Sequence, residues 1–500
     1  MDNKINLLDA LSKKERLTLE PRIENQSKNK VKKPKKVTFL IIFLLAAIIL
    51  FFVNINKSNQ ISNSWLDSIP IIGQLKHLVE SADSQLKGED RGQINILLLG
   101  MGGKNHEGGY LTDTIILLCL EPKDKKVALV SIPRDLAVPL EDLGWRKINN
   151  VNAFAELKQS GSGGLATSQT ISDVLKVPVD YYLRVDFSGF EKIIDDLGGI
   201  EVYVPTTLDD YKYPIMGKEE APYEERYEHL HIEQGWQKMD GALALKYARS
   251  RHAGGQEGSD FARARRQQII LQAIKDKVIS SFTLFKPTKI ANIINDVRDN
   301  FSTNLKIWEM VKLWNIFKDI KNEAVVTRVL DDSPSGLLTD STTADGAFIL
   351  LPRSGDFSEI QYLINNIFGQ APVAEKVKVN QEKASIEVHN GTWVNGLANK
   401  VALDLEKYGF KVIRVGNSSQ QNFQKTVIYD LTYGTKPESL TVLKNLTGGN
   451  VASGLPEWLI NDLAKQLAEE KVTNPVQPDF IIILGQDADT TKSGMENVVE

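Results

Sequence analysis

The chain has 500 residues, 60 basic against 64 acidic, for a formal net charge of −4; 25% are charged and 42% hydrophobic. That balance excludes general nucleic-acid binding, which needs a basic face to hold phosphates. The single cysteine, Cys119, excludes an internal disulfide, so packing must hold the fold, and its apolar surroundings mark it as a small core residue.

Residues 1–36 are polar and lysine-rich and are expected to be a disordered cytoplasmic tail. Residues 37–56 carry no charged side chain and reach the length a helix needs to cross a bilayer. Lys28, Lys30, Lys32, Lys33, Lys35 and Lys36 crowd its front, whereas only Lys57 follows closely. The asymmetry predicts a single-pass membrane protein, N-terminus cytoplasmic and C-terminal bulk outside. A cleaved signal peptide is the rival reading, but the run is long for one and no small-x-small site closes it. Residues 57–91 read as a juxtamembrane stalk, with a short amphipathic helix around residues 71–86.

A first domain is expected over residues 92–370. Short apolar runs at 94–99, 114–120 and 127–132 read as buried strands. The polar stretch 121–126 makes the last two a hairpin. Helical patterns at 168–175 and 187–197 follow, the second stopped by Gly198 and Gly199. Strands alternating with helices predict an α/β fold, a central sheet covered by helices on both faces. A long helix is expected over 260–280, where Ile270, Ile274 and Val278 form an apolar stripe. Extended backwards, the stripe meets Arg266 or Gln267 and then Arg263, so these arginines face inward. A further helix is expected at 307–317. Residues 371–383 look like a linker. A smaller α/β domain over 384–489 opens with a strand at 385–389, turns at Asn390 and Gly391, continues with a helix at 394–408 and closes with a strand at 480–484. Residues 490–500 are a tail.

Arg134, Arg249, Arg251, Arg263 and Arg266 thus lie in three stretches with core-like surroundings. A guanidinium at the edge of a core needs an anionic partner, and phosphate matches its planar fork. Structural ion pairs with Asp135, Asp260 or Glu257 are the alternative.

The motifs around them fall in a distinctive order: Asn95 to Gly100, Thr112-Asp113-Thr114, Ser131-Ile132-Pro133-Arg134-Asp135, Lys147-Ile148-Asn149, Asp180-Tyr181-Tyr182, Val185-Asp186-Phe187, Tyr247-Ala248-Arg249-Ser250-Arg251, and Asp260 to Gln267. Their succession resembles the LytR-CpsA-Psr (LCP) family. The second domain resembles the LytR C-terminal domain through residues 386–392 and 482–485. The resemblance implies an LCP-type central mixed sheet between helices. It implies a membrane-anchored phosphotransferase that moves a glycopolymer from a polyprenyl-pyrophosphate carrier to peptidoglycan or another envelope acceptor. Arg134, Asp135, Arg249 and Arg251 would be catalytic. Lys147, Asn149, Asn152, Arg263, Arg266 and Gln267 would bind substrate, with Asp135 orienting Arg134 or taking the acceptor's proton. Asp113 would hold Mg2+ (or Mn2+). The family often places a second aspartate where this chain has Gly102, and Glu107 is the expected replacement, with His106 a poorer one.

A non-catalytic polyprenyl-phosphate-binding or wall-scaffold protein is the alternative. A transcriptional regulator is disfavoured by the anchor and the acidic balance. Of the histidines, only His229-x-His231 has metal-like spacing, and it reads as a solvated strand edge.

Overall fold

The computed structural model describes residues 84–280 and 300–488, except 105, 107, 142, 216, 219, 220, 318, 344, 345, 370, 453 and 470–475. All belong to the compact unit Val37–Glu500. The predicted basic tail, transmembrane helix, most of the stalk and Glu107 lie outside the described residues. Among the described helices, none is long and apolar enough to cross a membrane.

The chain opens with β1 (Ile94–Met101), β2 (Thr112–Glu121) and β3 (Lys126–Ser131). A hairpin, β4 (Ala137–Leu140) and β5 (Gly144–Lys147), leads into α1 (Asn150–Lys158) and α2 (Gly163–Leu175). Next come β6 (Tyr181–Asp186), α3 (Phe187–Asp196) and β7 (Ile200–Val204). The hairpin β8 (Leu208–Pro214) and β9 (Tyr227–Ile232) is followed by β10 (Gly235–Met239), α4 (Gly241–Arg249) and α5 (Asp260–Ser280). The first half ends with β11 (Phe301–Thr303), α6 (Ile307–Phe317), β12 (Val325–Val329), β13 (Leu338–Thr342), β14 (Phe348–Pro352) and α7 (Ser358–Asn365).

Six strands form a mixed central sheet in the order β11-β6-β1-β2-β3-β12. Its central strands β1, β2 and β3 are mostly apolar because both faces are covered. On β1, Leu97 and Leu99 enter one core while Ile94, Ile96 and Leu98 enter the other. Neighbouring β2 repeats the split, with Ile115, Leu117 and Cys119 against Ile116, Leu118 and Leu120. The expected hairpin is present, with Leu120 opposite Val127. The stop of α3 is also as expected: Gly198 donates to the Asp195 carbonyl and Gly199 to that of Ile194, both glycines at positive φ.

Cys119 is a free, fully buried thiol, and burial pushes it up to about 12. It should therefore resist a thiol reagent such as Ellman's at pH 8 in the native protein and react fully once guanidinium unfolds the chain.

The second half consists of α8 (Val373–Glu382), β15 (Ser385–Asn390), α9 (Leu397–Lys407), β16 (Lys411–Asn417), β17 (Val427–Asp430), α10 (Pro437–Thr447), β18 (Asn450–Ala452), α11 (Glu457–Glu469) and β19 (Phe480–Leu484). Its five-stranded sheet runs β16-β15-β19-β17-β18. The expected linker is mostly the helix α8. It is anchored by buried Val379, and by Glu382, which accepts from the backbone of Glu438 and Ser439 at the start of α10. The halves meet through polar pairs: Tyr362 donates to Asp404 at 2.9 Å, Asn399 to Glu359 at 2.8 Å, and Arg328 faces Glu406 at 3.1 Å.

Candidate active site

The site lies at one end of the central sheet, and strand register builds its first pair. The β2–β3 register puts Ile116 opposite Ser131. Continued past the strand ends, it carries Asp113 to Arg134, whose Nη1 donates to Asp113 Oδ1 at 2.7 Å. Arg134 Nε also faces Asp135 at 3.5 Å and Asp260 at 3.8 Å, yet has no hydrogen-bond partner. Burial alone would make this guanidinium easier to deprotonate; Asp113, Asp260 and Asp135 outweigh it and hold the charge more firmly than usual.

Helix α5 supplies the opposite wall. Ile270 and Ile274 are buried, and Arg263 and Arg266 continue the same inward stripe, as its periodicity requires. Arg263 pairs with Asp260 one turn earlier at 3.0 Å. Burial destabilises its charge most; Asp260 offsets part of this, and the nearby Arg134 and Arg251 add to it. Arg265 is exposed, as its position off the stripe predicts.

Arg249 ends α4 and lies over the Phe187 ring, 4.4 Å from guanidinium carbon to centroid. Its other neighbours are the Tyr213 hydroxyl and His106 Nε2, each at 3.4 Å. Burial pushes the Tyr213 phenol up to about 12, so it stays protonated beside the arginine. Among the described residues no carboxylate pairs with Arg249 or Arg251. Among the described residues neither head is in an ion pair, although Glu191 lies close enough to Arg249 to act on it electrostatically, and an arginine without a direct carboxylate partner favours an external anion.

Two cavities meet here. One, about 910 Å³ including its open mouth, is almost wholly apolar; Leu99, Leu183, Phe190, Leu245, Ile270 and Phe301 line it, with Arg249 and Gln267 among its few polar residues. The other, about 340 Å³ including its open mouth, is the cleft into which Asp113, Arg134, Asp260 and Arg263 bring charge. Thr114 and Gln267 line both. The combined shape suits a ligand with an anionic head and an apolar tail.

Three expected site residues are engaged by protein partners. Arg266 is 2% exposed, and its donors are used internally. It donates to the Tyr247 carbonyl at 3.1 Å, to the Glu257 carbonyl at 3.0 Å and carboxylate at 2.7 Å, and to the Ser250 carbonyl. It fastens the segment that carries Arg249 and Arg251 with four of its five N–H donors. Asn152 is fully buried behind the site, donating to the Tyr110 carbonyl and accepting from Arg184. Lys147 is committed to Asp135 at 2.5 Å. That ion pair occupies one Asp135 oxygen while the other faces Arg134, which fits orientation better than proton acceptance. Asn149 is buried and forms backbone bonds to Thr112 and Arg134. Gln267 reaches the Ala248 carbonyl at 3.4 Å while lining both cavities.

Sequence reasoning missed Phe187, Tyr213 and Asp210. Asp210 is fully buried and accepts from the Ser250 hydroxyl at 2.7 Å and from the His252 amide, fixing the backbone on either side of Arg251. An aspartate inside an alternating strand was the available signal, since a buried carboxylate must have donors to hold.

For a divalent cation, position 102 has no side chain and residue 107 lies outside the described residues. Asp113 Oδ2 has no protein partner among the described residues and is a hard oxygen at the cleft. A magnesium ion that takes one carboxylate and completes its shell with water and phosphate fits this donor set.

Residues 56–365 match the model of the LytR_cpsA_psr family, and residues 383–487 match that of the LytR cell envelope-related transcriptional attenuator. The chain is 32% identical over 216 residues to the polyisoprenyl-teichoic acid–peptidoglycan teichoic acid transferase TagV of Bacillus subtilis, covering 43% of this chain and 50% of that protein. It thus spans half the length of that curated relative. It is 24% identical over 373 residues to the cell wall biosynthesis protein LcpA of Corynebacterium glutamicum, covering 69% and 67%. The crystal structure of B. subtilis TagV aligns over 56% of this chain and 98% of that one, at 27% identity and a TM-score of 0.41.

Proposed function

The chain belongs to the LytR_cpsA_psr family, and we propose that it is a membrane-anchored, extracytoplasmic phosphotransferase. It moves a glycopolymer from a polyprenyl-pyrophosphate carrier onto peptidoglycan or another envelope acceptor. The observation that carries this reading is the apolar cavity opening, past Thr114 and Gln267, onto a cleft that holds Arg134 and Arg263 beside Asp113 and Asp260, with Arg249 at the apolar wall. The apolar run of residues 37–56 supports the anchor, and the lysines before it support the orientation.

In this reading the prenyl chain occupies the cavity and the pyrophosphate lies among Arg134, Arg249, Arg251 and Arg263. The acceptor hydroxyl attacks the phosphorus attached to the sugar. A new P–O bond forms, the bond to the bridging oxygen breaks, and polyprenyl phosphate leaves with the electron pair, the hydroxyl proton passing to its released oxygen or to water. Charge builds on the non-bridging and leaving oxygens, where fixed guanidiniums act without reorganising. Asp135, held by Lys147, orients Arg134. Magnesium, when bound, would be held by Asp113 and would neutralise phosphate charge there.

The full chain, incubated with a lipid-linked pyrophosphoryl glycan, peptidoglycan fragments and magnesium, should form a covalent glycan–peptidoglycan product. A lipid that binds and is never turned over, beside an active relative, would favour the alternative of a non-catalytic carrier-lipid binder. The commitment of Asp113 Oδ1 to Arg134 is the one observation on that side.

A further inference from the structure

The hairpin of β8 and β9 carries a second cluster, outside the arginine cleft. His229 and His231 alternate with inward Leu230 and Ile232, so both imidazoles emerge on the outer face of β9. Register pairs His231 with Asp209 across the hairpin. Asp209 Oδ1 lies 2.9 Å from His229 Nε2 and 2.7 Å from His231 Nδ1, and the three ligand atoms all fall within 4.8 Å of one another.

The surroundings orient both rings. The other nitrogen of His231, Nε2, lies 3.0 Å from Glu233 Oε1. A carboxylate behind a histidine fixes the tautomer that leaves the opposite nitrogen free for a metal. His229 is stacked on Tyr211 at 4.0 Å and 4°. The β8 bulge between Asp210 and Tyr213 places that tyrosine alongside it.

We propose that Asp209, His229 and His231 form a binding site for a borderline divalent transition metal, with zinc the reference ion. Two imidazoles and a carboxylate are the donor set such ions prefer, with water in the open position. Magnesium, which prefers an all-oxygen shell, is not its occupant. With metal–ligand bonds of roughly 2 Å the three donor atoms sit about 3.3 Å apart, so the Asp209 contacts at 2.9 and 2.7 Å open slightly while the two imidazole nitrogens, within 4.8 Å of each other, adjust as half-exposed side chains can. The site braces the hairpin whose next residue, Asp210, holds the backbone flanking Arg251.

The test is a zinc titration of the purified, EDTA-treated full chain against a chelator of known affinity, with excess magnesium present. One equivalent of zinc should bind. His229→Ala and His231→Ala should each weaken it by at least about a hundredfold, and Glu233→Gln by about tenfold. Asp113→Asn should leave it unchanged, which separates this site from the catalytic cleft. Cobalt should give visible ligand-field bands that His229→Ala abolishes. His229→Gln serves as a second variant should the alanine form fold poorly. No zinc bound at micromolar concentration, equal binding by the histidine variants, or loss confined to Asp113→Asn would each overturn the proposal.

Discussion

Arg249→Ala should lower glycopolymer transfer by roughly a thousandfold or more, the range in which a single transition-state guanidinium acts in phosphoryl transfer. The folded state should hardly notice. Arg249 has no ion pair among the described residues; its neighbours are a ring face and two hydrogen bonds at 3.4 Å. The thermal unfolding midpoint should therefore stay close to that of the parent chain. Arg249→Lys should recover little, because a point charge cannot reproduce the planar fork. Transfer within tenfold of the parent would contradict the assignment.

Arg266→Ala should do the reverse. It would leave the Glu257 carboxylate without its ion pair and the Tyr247 and Ser250 carbonyls without a donor, around a side chain that is 2% exposed. Removing one partner of a buried pair costs roughly 3–5 kcal/mol, a large share of a domain's stability. Activity should fall only as far as folded protein is lost, and substrate affinity of the folded fraction should change little. An Arg266→Ala protein as stable as the parent but inactive would return this residue to the substrate site. Measuring both variants by unfolding and by transfer separates a residue that grips the ligand from one that fastens the loop beneath it.

Both residues sit on motifs that were visible in the chain, and the contrast shows where sequence patterns stop. Period-two strands and the turn between β2 and β3 contain the Asp113–Arg134 pair implicitly, since Leu120 opposite Val127 carries, residue by residue, to Asp113 opposite Arg134. The helical period of α5 turns Arg263 and Arg266 inward, but period alone does not say what an inward guanidinium meets. Arg263 meets the cleft; Arg266 meets three backbone carbonyls, at the end of α4 and in the loop after it, 9–19 residues earlier in the chain. Phe187 beneath Arg249 and Asp209 beside His231 are tertiary and cross-hairpin neighbours, set by packing and by a hairpin register that no local pattern announces. The linker-like stretch conceals α8 because one buried valine and a capping glutamate are too weak a stripe to stand out.

In the proposed function one ligand spans both cavities, its prenyl tail in the apolar one and its pyrophosphate among the arginines. The most direct measurement is equilibrium binding of a polyprenyl pyrophosphate to the full chain, alongside the neutral polyprenol and inorganic pyrophosphate. The joined cavities predict that the amphipathic lipid binds at least about a hundredfold tighter than either half, since tethered contacts act as one, and that Arg249→Ala removes most of the difference. Polyprenol binding as tightly as the pyrophosphate lipid, or pyrophosphate binding equally well without its tail, would contradict it.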